Sequence, residues 1–353
     1  MRALTLHAPQ QLRVEVVPDP VLETPDDAIV RVTRTAICGS DLHPYHGRER
    51  GLEPGTTMGH EFVGEVVELG PDASARGLRT GSRVMSPFTT SCGECYYCAR
   101  GLTCRCEQGQ LFGWRCSETG HGLHGAQAEF VRVPLASSTL VEIPDTVTDN
   151  EALLAGDVLA TGTHCAERSG ATNDDIVAVL GCGPVGLMAI RSLRSHGAAT
   201  FAVDSIESRL QFAESLGATP VEIDDAKDVM AAATGGRGAD VVLEVVGSPL
   251  ASRLAIDLVR PGGTISAAGV HTEDRFAFSP GEVYDKNLTY TAGRCPARAY
   301  AEPLLSALAD PDRPAYSSPA RMITHEMSLE DGPSGYEVFD QKRDGCIKIV
   351  LVP

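Results

Sequence analysis

The feature that most restricts the fold is a regular alternation of strand-like and helix-like segments in the second half of the chain. The short apolar runs "DIVAVLG", "TFAVD", "ADVVLEVVG" and "GGTISAAG" are separated by the helix-like segments "GPVGLMAIRSLRSHGA", "SRLQFAESLGA" and "SPLASRLAIDLVR". This βαβ repetition is typical of a mostly parallel sheet with helices on both faces. We therefore predict a doubly wound α/β domain, with "NLTYTAG" as its last strand.

A glycine-rich turn, "VAVLGCGPVG", joins the first of these strands to its helix with G-x-G-x-x-G spacing. The glycines allow a tight turn and let a pyrophosphate approach the backbone N–H groups at the start of the helix. The predicted cofactor-binding residues of this turn are Gly181, Gly183, Pro184, Val185 and Gly186.

Asp204 ends the next strand, about 20 residues further on, where a carboxylate accepts hydrogen bonds from the adenosine ribose. The same carboxylate repels a 2′-phosphate, so the sequence favours NAD over NADP. Arg209 leaves a second interpretation open, because a guanidinium close to this position can bind that phosphate. Arg209 can also form an exposed salt bridge on the helix, and we keep it among the candidate cofactor residues.

The chain up to about Asn150 has a different character. The segments "AIVRVTRTAIC", "FVGEVVELG" and "AEFVRVP" are short β-branched runs broken by Gly and Pro, as strands and turns require. The segment "EALLAGDVLATGTHCAERSG" then has a helical apolar pattern, and "CIKIVLVP" at the C-terminus returns to strand character. With 353 residues, the chain is long enough for two domains.

Composition excludes some classes of function. The formal net charge is −17, and an acidic surface repels a phosphate backbone, so we expect no nucleic-acid partner. No apolar run approaches the roughly 20 residues of a membrane helix, so we expect no membrane partner. The N-terminal "MRALTLHAPQ" lacks the apolar stretch of a signal peptide. We therefore expect a cytoplasmic protein.

Five of the eleven cysteines lie in "SCGECYYCARGLTCRC". Four of them have C-x2-C-x2-C-x7-C spacing, which brings four thiolates within reach of one tetrahedral zinc and closes the site to water. We predict a structural zinc held by Cys92, Cys95, Cys98 and Cys106, with Cys104 as a competitor for the fourth position. Disulfides do not suit a reducing compartment. Closely spaced cysteines also occur in thioredoxin-type redox motifs and in zinc ribbons that bind nucleic acid, so both interpretations stay open.

The segments "AICGSDLHPYHG", "GHEFVGEVVELG", the four-cysteine loop and "VLGCGPVG" occur in that order along the chain. This series resembles the zinc-dependent medium-chain alcohol dehydrogenases over essentially the whole sequence. The resemblance implies a GroES-like catalytic domain, residues 1–153 and 295–353, and a Rossmann NAD-binding domain, residues 154–294. It also implies two zinc ions per chain, one structural and one catalytic.

For the catalytic zinc, a soft thiolate and an imidazole are suitable ligands, and three protein ligands leave one position open. Cys38 and His60 match the family positions. Many members carry a second cysteine where this chain has Asp157, and a carboxylate there resembles the formaldehyde, threonine and polyol dehydrogenase branches. We predict Cys38, His60 and Asp157 as ligands. Glu61 is the rival, since in the polyol branch the glutamate after the histidine binds the metal. In the other branches this glutamate lies just behind the zinc and exchanges with water, so Glu61 is also a candidate catalytic residue.

Further roles follow from the resemblance. Asp41 is expected to accept the second ring N–H of His60, which fixes its tautomer. Ser40 is expected to hydrogen-bond the alcohol oxygen, and His43 to pass its proton to solvent. Three further residues match cofactor contacts of the family: Lys348 for the pyrophosphate, and Gly269 and Val270 for the nicotinamide carboxamide.

The sequence thus indicates a zinc-dependent alcohol dehydrogenase that transfers a hydride between NAD and an alcohol, aldehyde or ketone substrate. Polyol, threonine and formaldehyde-adduct dehydrogenases are competing interpretations within the family. A zinc-free reductase and a non-catalytic zinc- or dinucleotide-binding protein are competing interpretations from different classes. The family pairs its subunits through the last Rossmann strand, here within residues 286–293, so we expect a homodimer or homotetramer.

Overall fold

The computed structural model describes residues 1–49, 51–116, 122–313 and 318–353. The described chain divides into two compact units. The first comprises Met1–Asp157, Pro296–Arg313 and the C-terminal segment that ends at Pro353, and the second comprises Val158–Cys295. The domain boundaries predicted from the sequence fall after residues 153 and 294.

The strands, numbered in chain order, are β1 Arg2–Leu6, β2 Leu12–Val16, β3 Ala28–Ile37, β4 Thr56–Thr57, β5 Glu61–Leu69, β6 Arg83–Ser86, β7 Phe130–Val133, β8 Val141–Glu142, β9 Ile176–Leu180, β10 Ala199–Asp204, β11 Thr219–Glu222, β12 Ala239–Glu244, β13 Val259–Ala267, β14 Thr289–Ala292, β15 Ile323–Ser328 and β16 Lys348–Val352.

The α-helices are α1 Leu42–Tyr45, α2 Pro71–Ala75, α3 Ala136–Thr139, α4 Asp149–Ala155, α5 Val158–Ser169, α6 Pro184–His196, α7 Glu207–Ser215, α8 Ala226–Thr234, α9 Pro249–Leu258, α10 Pro280–Asp285, α11 Ala297–Ala309 and α12 Gly332–Asp340. None of the helices in the described ranges has both the length and the apolar character needed to cross a membrane.

The first unit is built on a sheet with the order β15-β16-β3-β5-β6-β8, in which β7 also pairs with β3. A smaller sheet has the order β2-β1-β4. The pairs of the larger sheet are antiparallel except β15 with β16. Its core includes Phe62 against Phe112, edge to face with ring centroids 5.1 Å apart. The β-rich texture predicted for the first part of the chain is this sheet.

The second unit contains a parallel sheet of six strands with the order β11-β10-β9-β12-β13-β14. The order reverses between β9 and β12, as in dinucleotide-binding folds, where the ligand lies beyond the carboxyl ends of the strands at this point. Buried apolar side chains from the strands and the crossover helices form the core. The predicted doubly wound sheet is confirmed, and β14 is its last strand.

The helical segment after Asn150 is two helices rather than one. Helix α4 begins with a capping box in which Thr148 Oγ1 accepts from Glu151 N, and it ends at Ala155. Gly156 follows, and a Cβ at that position would lie 2.6 Å from Ser86 O. Helix α5 begins at Val158. The break leaves Asp157 outside both helices, while α4 packs against β3 and β5.

Candidate metal and dinucleotide sites

Four cysteines of the loop after β6 form a compact cluster. The Sγ atoms of Cys92, Cys95, Cys98 and Cys106 all lie within 4.8 Å of one another. Cys104 is buried but does not belong to this cluster. The structure therefore brings together the four cysteines predicted for the structural zinc.

Backbone N–H groups point at these sulfurs. Cys92 N donates to Cys106 Sγ at 3.2 Å, and Cys95 N donates to Cys92 Sγ at 3.4 Å. Backbone N–H bonds from Cys98 and Glu107 lower the pKa of the Cys95 thiol to about 6. Hydrogen bonds of this kind favour the thiolate, which is the form that binds zinc. The four sulfurs fit a tetrahedral zinc with no ligand position left for water.

A second cluster lies where three elements of the first unit meet. Cys38 follows the last residue of β3, and His60 precedes the first residue of β5. These strands are antiparallel with Ala36 opposite Glu61, so their ends bring Cys38 and His60 to the same edge. The break after α4 adds Asp157. The sequence separation of these residues gives no sign of their proximity, which depends on the strand register.

The donor atoms of this cluster are close and buried. Asp157 Oδ2 lies 3.2 Å from His60 Nε2 and 3.4 Å from Cys38 Sγ. One ligand atom from each of Cys38, His60, Glu61 and Asp157 lies within 4.8 Å of the others, and all four residues are buried. Thiolate, imidazole and carboxylate at this spacing form a donor set suited to zinc.

Asp41 holds two of these residues in place. Its Oδ2 accepts from Cys38 N at 2.9 Å, and its Oδ1 lies 3.1 Å from His60 Nδ1. With Nδ1 engaged by Asp41, Nε2 is the ring nitrogen that faces the cluster, and a metal would bind it in the neutral form of the imidazole. Ser40 is nearby, with Oγ 3.9 Å from Cys38 Sγ.

Glu61 is paired with a buried lysine. Lys348 Nζ donates to Glu61 Oε1 at 2.5 Å, and both side chains have 0% exposure. The pyrophosphate contact predicted for Lys348 does not fit this arrangement, because the ammonium has no exposed surface to offer a cofactor. Lys348 instead supplies the counter-charge for Glu61. The second oxygen of that carboxylate, Oε2, is buried and makes no hydrogen bond within the described residues.

Burial of several potentially anionic donors at one point favours the binding of a cation. Burial raises the pKa of the Cys38 thiol to about 12, and the charges of Asp157 and Glu61 add to the effect. Burial also raises the pKa of Glu61 to about 7, although Lys348 opposes the shift. Removing water disfavours the anionic forms of these donors. A bound divalent ion reverses this balance, so the residues present fit a metal site.

In the second unit, the glycine-rich turn has the predicted geometry. Gly181 has φ +93°, which is the left-handed region that favours glycine. A Cβ on Gly186 would overlap Gly181 O, so only glycine allows this close packing of turn and helix. Pro184 occupies the first turn of α6, where its missing N–H costs no helical bond.

Asp204 forms a hydrogen bond to the glycine-rich turn. Its Oδ2 accepts from Cys182 N at 2.7 Å, and its Oδ1 accepts from Ser205 N at 2.8 Å and Ile206 N at 3.0 Å. Each carboxylate oxygen has two lone-pair positions, so acceptor capacity remains for a ligand hydroxyl. The residue is half-buried at the end of β10.

The exposed salt bridge considered for Arg209 is absent among the described residues, where this guanidinium makes no ion pair. A Cβ on Gly183 would lie 3.7 Å from Arg209 Nη1, so the guanidinium lies beside the glycine-rich turn. Gly269 and Val270 follow β13, at the same carboxyl edge of the sheet.

This edge also holds a pair that was not apparent from the sequence. Glu244 Oε2 lies 2.8 Å from His271 Nε2, and the glutamate is buried. Its only signal was an acid within the apolar run "ADVVLEVVG".

Two family descriptions match the chain. Residues 24–145 match the Alcohol dehydrogenase GroES-like domain, and residues 184–310 match Zinc-binding dehydrogenase. The chain belongs to the zinc-dependent medium-chain alcohol dehydrogenase family. It is accordingly an oxidoreductase that acts on small-molecule alcohols or aldehydes and uses zinc and NAD. The fold class, cofactors and family predicted from the sequence are confirmed.

Individual relatives and solved structures support the same family assignment. The chain is 41% identical to Zinc-type alcohol dehydrogenase B of Aspergillus flavus, over 96% of this chain and 79% of that protein. It is 35% identical to a zinc-type alcohol dehydrogenase-like protein of Bacillus subtilis, over 100% of both chains. Among solved structures, alcohol dehydrogenase TADH from Thermus sp. ATN1 matches with a TM-score of 0.90 and 38% identity, covering 100% of this chain and 99% of that one.

Proposed function

We propose that this chain transfers a hydride between NAD and an alcohol bound at the cluster of Cys38, His60 and Asp157. The observation that carries the proposal is the convergence of their donor atoms on one buried point, 3.2 Å from His60 Nε2 to Asp157 Oδ2 and 3.4 Å from Cys38 Sγ to the same oxygen. These three residues would hold the catalytic zinc. A zinc ion at that position supplies Lewis-acid chemistry that lowers the pKa of an alcohol hydroxyl.

The surrounding residues have separate tasks in this proposal. Asp41 orients the His60 ring through Nδ1, at 3.1 Å. Ser40 lies beside Cys38 and hydrogen-bonds the alcohol hydroxyl. As the alcohol proton moves to Ser40 Oγ, the serine's own proton passes to His43 on α1 and from there to solvent. We place Glu61 as a close neighbour of the metal rather than a ligand, because its Oε1 is engaged by Lys348. Its Oε2, which makes no hydrogen bond within the described residues, would remain available to a metal held by the three ligands.

The cofactor is assigned to the glycine-rich turn of the second unit. Backbone N–H groups at the start of α6 bind the pyrophosphate. Asp204 binds the adenosine ribose. Arg209 lies beside Gly183, where it can contact the same part of the nucleotide. The backbone at Gly269 and Val270 meets the nicotinamide carboxamide. We propose NAD rather than NADP as the preferred cofactor, because the Asp204 carboxylate repels a 2′-phosphate.

A panel of alcohols read at the NADH absorbance band tests the activity. Primary alcohols, secondary alcohols, vicinal diols, polyols, threonine and a formaldehyde–thiol adduct form its members. NADH formation with at least one class, lost on removal of zinc by a chelator and regained on adding it back, supports the proposal. A zinc-loaded protein that binds NADH but turns over none of these classes contradicts it.

Secondary alcohols and vicinal diols are the second, narrower candidate. The carboxylate of Asp157 in the metal cluster, where many members have a cysteine, resembles the polyol branch. The chain is 31% identical to a sorbitol dehydrogenase of Halalkalibacterium halodurans, over 100% of this chain and 99% of that one. A 2R,3R-butanediol dehydrogenase from Bacillus subtilis matches with a TM-score of 0.80 and 28% identity over 100% and 99% of the two chains. A higher kcat/KM for diols than for matched mono-alcohols would support this candidate.

We also propose that the chain forms a homodimer or homotetramer through β14. This strand lies at the edge of the parallel sheet, and an unpaired edge invites association. Large side chains near it are exposed: Phe276 is 65% exposed and Tyr284 is 83% exposed. An isologous pairing of two β14 strands would cover the edge and these side chains. Light scattering that gives a monomer mass at micromolar concentration would contradict it.

A cytoplasmic location is proposed on the state of the cysteines. The two clusters contain five cysteines, which must be reduced to bind zinc: Cys38, Cys92, Cys95, Cys98 and Cys106. Reducing compartments maintain such thiols, whereas secretory compartments oxidise them. Cell fractionation followed by immunoblotting tests the location, and recovery outside the cytoplasmic fraction would contradict it.

A further inference from the structure

Glu244 is a buried acid at the carboxyl end of β12, with 1% exposure. Both of its carboxylate oxygens are occupied. Oε1 accepts from Val246 N at 2.9 Å and from Gly247 N at 2.8 Å, and Oε2 accepts from His271 Nε2 at 2.8 Å. The imidazole comes from the segment after β13. One carboxylate therefore joins two loops that follow neighbouring parallel strands.

The backbones of these loops are also in direct contact. Glu244 O accepts from Ala268 N at 2.9 Å and from Gly269 N at 3.2 Å. A Cβ on Gly269 would overlap Gly247 N, and a Cβ on Gly247 would overlap Val270 O. No side chain separates the two loops, so a shift of one moves the other. The Glu244–His271 bond adds a side-chain contact that crosses from β12 to the loop after β13.

Each of the two loops carries an exposed valine. Val246 is 52% exposed and Val270 is 43% exposed. Val246 also borders the glycine-rich turn, because a Cβ on Gly181 would lie 2.6 Å from its Cγ2. The two valines follow the carboxyl ends of β12 and β13, beside the strand-order reversal between β9 and β12, where a dinucleotide extends away from its pyrophosphate. An aromatic ring with an amide substituent could pack against these valines, and its amide could hydrogen-bond the neighbouring backbone groups.

We propose that Glu244 and His271 are positioning residues for the nicotinamide half of NAD. They act by fixing Val246–Gly247, after β12, relative to Gly269–Val270, after β13. This inference rests on the proposed cofactor site and goes beyond it, because neither side chain touches the dinucleotide in the proposed mode. The Glu244–His271 pair keeps a fixed distance between Val246 and the backbone of Gly269 and Val270 that would bind the carboxamide. Loss of the His271 donor leaves Glu244 Oε2 without a partner and frees the loop after β13.

The test compares NADH with ADP-ribose, which has the adenosine and pyrophosphate but no nicotinamide. His271→Ala in the zinc-loaded full chain is expected to raise the Kd for NADH about tenfold, the cost of one hydrogen bond to a charged group. The Kd for ADP-ribose should stay unchanged. His271→Gln keeps a side-chain N–H donor and should restore most of the NADH affinity. NADH fluorescence and calorimetry with ADP-ribose provide the two constants.

Glu273→Gln is the matched control, because Glu273 lies 3.6 Å from His271 Nδ1 on the same loop but outside the bond to Glu244. It should leave both constants unchanged. Equal losses for NADH and ADP-ribose in His271→Ala, or no loss for either, would overturn the positioning role. Failure of the wild-type chain to bind NADH and ADP-ribose would instead remove the proposed cofactor site, and this inference with it, so the two failures are distinguishable.

Discussion

Lys348 donates to Glu61 across 2.5 Å in a position where neither side chain is exposed. The two residues lie on β16 and β5, and both strands neighbour β3. A buried ion pair contributes little net stability when intact, but removal of one partner leaves an unpaired buried charge. The pair therefore joins the folding of the C-terminal strand to the electrostatics of the metal cluster.

Lys348→Met should destabilise the first unit by about 3–5 kcal/mol, because Glu61 then stays buried without its counter-charge. The double variant Lys348→Met with Glu61→Gln should regain much of that loss, since no charge remains to be compensated. Urea unfolding of the wild type, both single variants and the double variant gives the coupling. Strictly additive losses would show that the two side chains do not interact.

Cys95→Ser should remove one zinc ion per chain and destabilise the four-cysteine loop, because three sulfurs do not close a tetrahedral site. Cys104→Ser is the control from the same loop: Cys104 lies outside the cluster, so its variant should keep about two zinc ions per chain. Metal analysis by mass spectrometry measures both. Loss of zinc from Cys104→Ser with retention in Cys95→Ser would reverse the assignment.

Asp157→Asn should lower the affinity for the catalytic zinc and reduce kcat by at least about tenfold, because a neutral amide replaces an anionic ligand. The Kd for NADH and the structural zinc should be unaffected. Glu61→Gln should retain the catalytic zinc better, since Glu61 is engaged by Lys348. Zinc retention against a chelator ranks the two variants, and the opposite ranking would make Glu61 the third ligand.

Asp204→Ala should weaken NAD binding and relax the discrimination against NADP, because the variant loses both the ribose acceptor and the repulsion of a 2′-phosphate. Arg209 should then favour NADP, so Asp204→Ala with Arg209→Ala should bind NADP less well than Asp204→Ala alone. The ratio of kcat/KM for the two cofactors is the measurement. An unchanged ratio in Asp204→Ala would exclude this carboxylate from the site.

The lowered pKa of His164 predicts that the stability of the second unit depends on pH. Burial and the neighbouring Arg168 lower the pKa of this histidine to about 4, below the ordinary value of about 6.5. The unfolded chain therefore binds the proton more readily than the folded one between these values, so stability is full above about pH 6.5 and falls as the pH drops toward 4. His164→Gln should flatten that decline by on the order of 1–2 kcal/mol. Parallel denaturation curves at pH 7 and pH 5 for both proteins test it.

The alternating strands and helices, the glycine-rich turn and the four-cysteine spacing could all be predicted from the sequence because each is a local pattern. Period, turn chemistry and short ligand spacings act over a few residues, so the chain carries their signal directly. Cys92, Cys95, Cys98 and Cys106 are close in sequence and close in space. The same holds for the turn around Gly181, whose left-handed backbone only glycine adopts freely.

Local sequence patterns did not show which distant residues meet: the family resemblance alone named Cys38, His60 and Asp157 as one ligand set, and the tertiary structure brings them together. The register of β3 against β5 places Cys38 beside His60, and the helix break at Gly156 adds Asp157 to them. The partner of Lys348 was likewise set by strand order, which brings β16 next to β3 and its ammonium to Glu61 rather than to a cofactor. Such contacts arise from long-range packing and from the need to compensate buried charge. A local sequence pattern contains neither.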